Sequence, residues 1–258
     1  MKYITTSLAT LLIVLLTISC SNSEQKNEKP YLNFKINKID KKYGACDGDG
    51  ICGEIKIEYP LFKNNKKEVD SKLNAIITKS ISSFYDVKTI KRTSELFIKE
   101  FSEFVKEFPD ATNNKWNTFM IYQVNSNTEN LLSLTFNMEG YTGGAHGFRT
   151  KTSSNYNPNT GEIIKLDDIV TDVKKLKIIG RDFFIKENNL DSSKSLNEQG
   201  FWFIEGEFVL NNNFIISKDG LSFHYNQYEI APYSMGTFNV TIPLKSIKNI
   251  LKDKSIFK

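Results

Sequence analysis

The spacing of apolar residues changes along this chain in an order that few folds can accommodate. Tyr31 to Asp40 alternates apolar and polar positions through Phe34, Ile36 and, after a slip, Ile39, while Glu54 to Tyr59 alternates strictly. Such period-two stretches predict two strands, paired across the turn between them and ended at Pro60. The period then becomes helical twice in succession. Val69, Leu73, Ile76, Ile77, Ile81 and Phe84 share one face of a helix over about 67–84, with Asp70 near its start. Leu96, Phe97, Phe101, Phe104, Val105 and Phe108 stripe a second helix over about 94–108. Thr93 or Ser94 is its expected N-cap, and Pro109 lies just beyond its end. An aromatic stripe at this spacing reads as core.

Period two returns over 118–124, 131–141 and 148–156. The order Asn157-Pro158-Asn159-Thr160-Gly161 is a turn in composition and sequence. A short strand over 162–166 is expected next, then a helical turn capped by Asp167 or Asp168. A helix over 174–187 places Leu176, Ile179, Phe183 and Phe184 together. Strands over 212–217, 221–225 and 237–242 form a meander with Lys218-Asp219-Gly220 as a hairpin turn. Pro243 suits the first position of a last helix over 244–251. Strands, two helices, strands, helix, strands, helix, with no βαβ alternation, predicts an α+β fold. We expect mainly antiparallel sheet packed with helices, in two small intertwined subdomains.

The first thirty residues are of another kind. Lys2 precedes an apolar run from Ile4 to Ile18, too short for a permanent membrane span, which reads as the core of a signal peptide over residues 1–19. The end of that run, Leu16-Thr17-Ile18-Ser19-Cys20, resembles a bacterial lipobox, although Thr17 stands where Leu is usual. The resemblance implies lipid on Cys20, a flexible polar tether over 20–30, and an exported protein anchored to an envelope membrane by lipid. In a Gram-negative source that would be the outer membrane. Two of the three cysteines then remain, Cys46 and Cys52, an even pair expected to form a disulfide that staples a turn. The Asp47-Gly48-Asp49-Gly50 run within it also invites a calcium reading, but the EF-hand spacing would place Gly where Cys52 stands.

Charge excludes one class of partner. Thirty-four basic residues against 30 acidic ones, a formal charge of +4, are too balanced to argue for nucleic acid, which needs a concentrated basic face. The chain is rich in Lys, Asn and Ile, which reads as coding bias. No cofactor motif, catalytic triad or metal-ligand spacing is present, so no catalytic residue, cofactor or metal is assigned.

Two groups of motifs carry a family resemblance. One is Gly140-Tyr-Thr-Gly-Gly-Ala-His-Gly147, followed by Asn155 to Gly161 and by Ile164-Lys-Leu-Asp-Asp168-Ile. The other runs from Phe214 through Lys218-Asp-Gly-Leu-Ser-Phe223 and Tyr225-Asn-Gln-Tyr-Glu-Ile-Ala-Pro-Tyr233 to Gly236 and Ile242-Pro243. Together they resemble the RsiV-like C-terminal domain, here residues 140–258. The upstream layout, residues 31–139, resembles the PdaC-like region found beside that domain. The resemblance implies a place in the bacterial envelope and a binding role. One family member binds lysozyme, and another carries this pair outside a peptidoglycan deacetylase domain. Neither a sigma-factor-binding segment nor a deacetylase domain is expected in this chain.

Within the motifs, His146 sits among four glycines, a setting that lets backbone approach a ligand or simply makes a tight crossover. Gln227 to Tyr233 is a polar-aromatic run ending beyond Pro232, more a shaped loop than a strand. Tyrosines there either stack on a partner or pack the loop onto the sheet. We take Tyr141, Gly143, Gly144, His146, Tyr228, Glu229 and Tyr233 as candidate binding residues. The partners expected are the membrane, through lipid, and a lysozyme-like protein or peptidoglycan. The alternative is an envelope hydrolase acting on cell-wall glycan through His146 and a nearby carboxylate; a metal hydrolase would need His146 and His224 joined by carboxylates such as Glu139 or Asp168, which no spacing supports.

Overall fold

A computed structural model describes residues 30–257 except Asp49, Asn65 and 110–114. The expected signal peptide, Cys20 and nearly all of the tether lie outside the described residues. Strands β1 (Phe34–Gly44) and β2 (Cys52–Phe62) pair antiparallel from Phe34↔Phe62 to Gly44↔Cys52. Cys46 and Cys52 are joined by a disulfide across the turn. Helices α1 (Lys67–Ser82) and α2 (Ile90–Glu107) follow, and then β3 (Lys115–Asn127), β4 (Leu132–Tyr141) and β5 (Phe148–Tyr156). The first sheet has the order β1-β2-β3-β4-β5. Its one parallel pair is β2–β3, because the two helices between them carry the chain back to the starting edge, the crossover that parallel pairing requires.

Period two decides what each face of this sheet meets. Ile55 and Ile57 of β2 and Met120 and Tyr122 of β3 face the helices, where they are buried with Leu73, Ile77, Ile81 and Phe97. The alternate residues, Glu54, Lys56 and Glu58 of β2 and Asn117, Phe119, Ile121 and Gln123 of β3, face the other way. In the glycine position Gly53, a Cβ would lie 2.3 Å from the ring of Phe101, so α2 seats directly on bare backbone there.

After β5 come α3 (Leu166–Ile169), α4 (Val173–Glu187), the antiparallel meander β6 (Phe214–Ser217), β7 (Gly220–Tyr225) and β8 (Phe238–Pro243), and α5 (Leu244–Ile247). Helix α4 lies on β8, and the second core gathers Leu176, Phe184, Phe201, Phe208, Leu221, Phe223, Val240 and Ile242. Adjacent residues divide between the cores: Leu131 belongs to the second and Leu132 to the first. The architecture is the expected α+β, mainly antiparallel and packed with helices.

Three local expectations need correction. Helix α2 begins at Ile90, where the Thr89 side chain accepts a hydrogen bond from the Arg92 N–H. Thr93 and Ser94 are fully buried inside it, and their hydroxyls donate back to the carbonyls of Thr89 and Lys91, a bond that small polar residues make mid-helix as readily as they cap. The strand expected over 162–166 is a single bridge, Tyr156↔Ile163, since α3 starts at Leu166. The last helix is only α5 followed by a tighter turn over 248–250.

The second sheet is held to the edge of the first by asparagine side chains. Asn226 accepts from the N–H of Lys151 at 2.7 Å and donates to its carbonyl at 3.0 Å. Asn213 donates to the same carbonyl at 2.7 Å and accepts from the Ser153 N–H at 2.7 Å. Asn155, 1% exposed, reaches the opposite way, donating to the carbonyl of Phe214 at 2.8 Å and accepting from the Ile216 N–H at 3.3 Å. The free edge of β5 is thus paired without a sixth strand, which also removes a template for edge-to-edge association.

Candidate functional site

The outward face of the first sheet and the loop between β7 and β8 enclose a cleft of about 920 Å³. Register builds its floor. Lys56, Phe119, Glu139 and Arg149 stand in one row across β2 to β5, and Glu58, Ile121, Asn137 and Lys151 in the next. The second wall comes from far along the chain, with His224, Gln227, Tyr233, Gly236 and Thr237 lining it. Its charges are mostly matched. Arg149 donates to a Glu139 oxygen from both Nε and a terminal nitrogen, at 2.9 and 2.8 Å. Lys56 binds Glu54 at 2.9 Å and lies over the Phe119 ring.

One end of the cleft is shaped by the glycine-rich connection of β4 to β5. Gly143 and Gly144 take φ of +93° and +91°, a left-handed conformation that side chains oppose. The turn is then pinned by its own polar groups. Tyr141 donates its hydroxyl to the Gly144 carbonyl at 2.9 Å, and His146 Nδ1 donates to the Gly147 carbonyl at 2.8 Å. Because a carbonyl only accepts, Nδ1 carries the proton in this bond, and Nε2 has no hydrogen-bond partner among the described residues.

The structure brings several predicted residues together across more than eighty positions of sequence. The exposed His146 ring stacks on Tyr233, centroids 4.3 Å apart at 22°, and Tyr233 meets Tyr228 at 5.4 Å. Tyr228 is 58% exposed and holds φ +64°. Tyr141 and Tyr233 line the cleft itself, and His146 and Tyr228 adjoin it through their ring contacts with Tyr233, whereas Gly143 and Gly144 do not line it and Gly143 lies beside Trp116. Glu229 has a different place. It accepts from Asn211 at 2.6 Å and from the Asn226 N–H at 2.8 Å, closing its own loop. Asp168 accepts from the Lys165 N–H at 2.8 Å at the start of α3.

Sequence reasoning missed the floor: Asn117, Phe119, Ile121, Asn137, Arg149 and Lys151. The signal was available in the alternation of β3, where Phe119 and Ile121 are large apolar residues on the face opposite the buried Met120 and Tyr122. His224, on β7, lines the facing wall. Its Nδ1 lies 2.8 Å from Asn239 Oδ1, and burial holds its pKa below the ordinary imidazole value, so it stays neutral near pH 7. Among the described residues no group of three His, Cys, Asp or Glu is arranged to hold a metal ion. No helix among them is long and apolar enough to cross a membrane.

Comparison with known proteins accounts for both halves. Residues 47–149 match the family model "Deacetylase PdaC", and residues 149–245 match "Protein of unknown function (DUF3298)". The peptidoglycan-N-acetylmuramic acid deacetylase PdaC of Bacillus subtilis is 24% identical over 235 residues, covering 86% of this chain but 46% of the relative. The chain therefore spans less than half of that protein. The anti-sigma-V factor RsiV of Bacillus subtilis is 25% identical over 212 residues, 78% of this chain and 73% of the relative. A crystal structure of a DUF3298 family member from Bacteroides fragilis superposes with a TM-score of 0.65 at 22% identity, covering 87% of this chain and 96% of that one. Another, from Pseudomonas aeruginosa, gives 0.59 at 16%, covering 88% and 98%. At these identities the solved structures establish the fold alone. The chain thus carries a PdaC-type region followed by a DUF3298 region, the RsiV-like pairing that its motifs resemble.

Proposed function

We propose that this protein is a lipid-anchored component of the cell envelope that works by binding, with an envelope protein such as lysozyme or peptidoglycan glycan as its partner. One observation carries the reading: an open cleft whose two walls come from the two sheets, with Tyr141, Tyr233 and a His146 stacked on Tyr233 at one end. Tyrosine offers a large rigid face with a polar tip, which suits both sugars and protein surfaces. The envelope setting is supported by the relatives, one of which acts on peptidoglycan by its name. Lipid on Cys20 would supply the membrane link.

A specific observation also favours a second reading, a glycan hydrolase: His146 is held through Nδ1 and beside Tyr233, with Nε2 unpartnered among the described residues. It finds less support. Glu139 is bound by Arg149, and Asp168 is engaged at the start of α3, so each carboxylate weighed for such chemistry already has a partner. The deciding experiment retains lysozyme and isolated sacculi on immobilised protein. We expect one of them to be retained by the wild type and lost in Tyr233→Ala. No retention of either removes both named partners. Release of muropeptides by the purified protein, abolished in His146→Ala, would establish the hydrolase instead.

A further inference from the structure

The floor of the cleft contains one charge that no described residue matches. Lys151 points from β5 into the cleft, is half-buried, and makes neither an ion pair nor a side-chain hydrogen bond among the described residues. Its neighbour on the strand, Arg149, is neutralised by Glu139. Its position is not left to chance. The backbone N–H and carbonyl of Lys151 are held by Asn226, and the carbonyl also by Asn213. An ammonium facing a cleft without a counter-ion is a ready partner for an anion from outside, through a charge-assisted hydrogen bond. His224, from the facing wall, feels the Lys151 charge.

The surroundings of Lys151 narrow the anion's chemistry. Asn117, Gln123, Asn137 and Gln227 line the same cleft, and none of their side-chain amides is hydrogen-bonded within the described protein. An amide both donates and accepts, as a sugar hydroxyl does, and aromatic faces at Phe119, Tyr141 and Tyr233 suit the flat side of a pyranose. Resting on the reading of this cleft as a binding site, we infer that its ligand is a saccharide bearing a carboxylate, with the carboxylate seated on Lys151. Two sources share that chemistry: the lactyl carboxylate of peptidoglycan glycan that carries no stem peptide, and the uronic acids of envelope polysaccharides.

Calorimetric titration of the intact protein tests this with four probes. They are the disaccharide of N-acetylglucosamine and N-acetylmuramic acid, its carboxylate methyl ester, a galacturonic acid trimer, and neutral chitobiose. At least one acidic probe should bind about tenfold more tightly than its neutral counterpart, and which one does so names the source. Lys151→Met should erase that preference, the acidic probe binding no more tightly than its neutral counterpart. Lys151→Arg, which keeps the charge, should retain it. An equal preference for the acid in wild type and Lys151→Met overturns the carboxylate inference but leaves the cleft a saccharide site. Binding of lysozyme with no response to any saccharide also overturns it, while the binding reading survives with a protein partner. No response to saccharides, sacculi or lysozyme overturns both.

Discussion

Asn155 is the residue on which the docking of the two sheets most directly depends, and its contribution can be worked out from backbone direction. The His224 N–H donates to the Asn213 carbonyl, so residues 213, 215 and 217 turn their backbone groups toward β7. Residues 214 and 216 therefore turn theirs toward the free edge of β5, with which β6 forms no strand ladder. The Asn155 side chain meets both, the Phe214 carbonyl at 2.8 Å and the Ile216 N–H at 3.3 Å. Phe214 and Ile216 are 2% and 1% exposed, so water does not replace the amide.

Asn155→Ala leaves one carbonyl and one N–H buried and unpaired. Each such group costs about 1–3 kcal/mol, and the longer bond weighs toward the lower end. The expected loss is therefore about 2–4 kcal/mol. For a chain of this size it corresponds to a fall in Tm of roughly 5–15 °C. Asn155→Asp should do no better, since it keeps the acceptor for Ile216 but turns a carboxylate oxygen toward the Phe214 carbonyl. Asn159→Ala is the control, because the bonds of Asn159 to Tyr31 and Lys66 are exposed; a loss under about 1 kcal/mol is expected there. Urea denaturation and amide exchange read the result, with faster exchange at Ile216 in Asn155→Ala. A loss no larger than that of Asn159→Ala, with Ile216 still protected, would refute the reasoning.

Other perturbations have equally definite outcomes. Gly53→Ala drives a methyl into the ring of Phe101, which Tyr43 and Trp116 flank at 5.8 and 5.4 Å; a loss of about 1–3 kcal/mol in denaturant titration is expected, and an unchanged midpoint would contradict the packing. Replacing both Cys46 and Cys52 by Ser opens a loop with a sequence separation of only 6, so the loss should stay near 2 kcal/mol, with the circular dichroism of the folded state retained. His224 contributes to a pH dependence. Its folded pKa lies below the unfolded value, with burial the main cause, so its contribution is complete above about pH 6.5 and is lost as pH falls toward the folded pKa. Lys151 on β5 opposes its protonation, while Glu229 on the β7–β8 loop and the amides of Asn226 and Asn239 favour it. Tm should therefore fall between pH 7.5 and pH 5.5, less steeply in His224→Gln; equal slopes would remove His224 from the account.

What was legible in the sequence was whatever local periodicity controls. Strands β1 to β8 and helices α1, α2 and α4 follow from spacing, because one face of each must leave water. The start of α2 was misread because Thr93 and Ser94 look like caps in isolation; only the packing of their buried positions shows that the helix began earlier. The parallel pairing of β2 with β3 was not visible either, since alternation fixes which face a residue takes and not which strand lies beside it. The asparagines are the clearest case. Their abundance reads as coding bias in a residue count, yet Asn155, Asn213 and Asn226 replace a missing strand. Nothing local distinguishes them from Asn189 or Asn212, because their partners lie about sixty to seventy-five residues away.

That division also explains why half of the site was found and half missed. Tyr141, His146 and Tyr233 stood out because they lie in glycine- and proline-marked loops, where composition departs from its surroundings. The floor did not stand out, because Lys151 and Asn137 look like ordinary solvent-facing strand residues until a second sheet closes over them. The same closure links stability to binding. The two walls of the cleft meet only while the asparagine contacts hold, so a ligand touching both walls binds the docked state and stabilises it by mass action. It follows that Asn155→Ala, which touches no cleft atom, should weaken any ligand that bridges Lys151 and Tyr233, in proportion to the population of undocked molecules. A ligand confined to one wall should bind Asn155→Ala and wild type alike, so the comparison tells whether the partner spans the cleft.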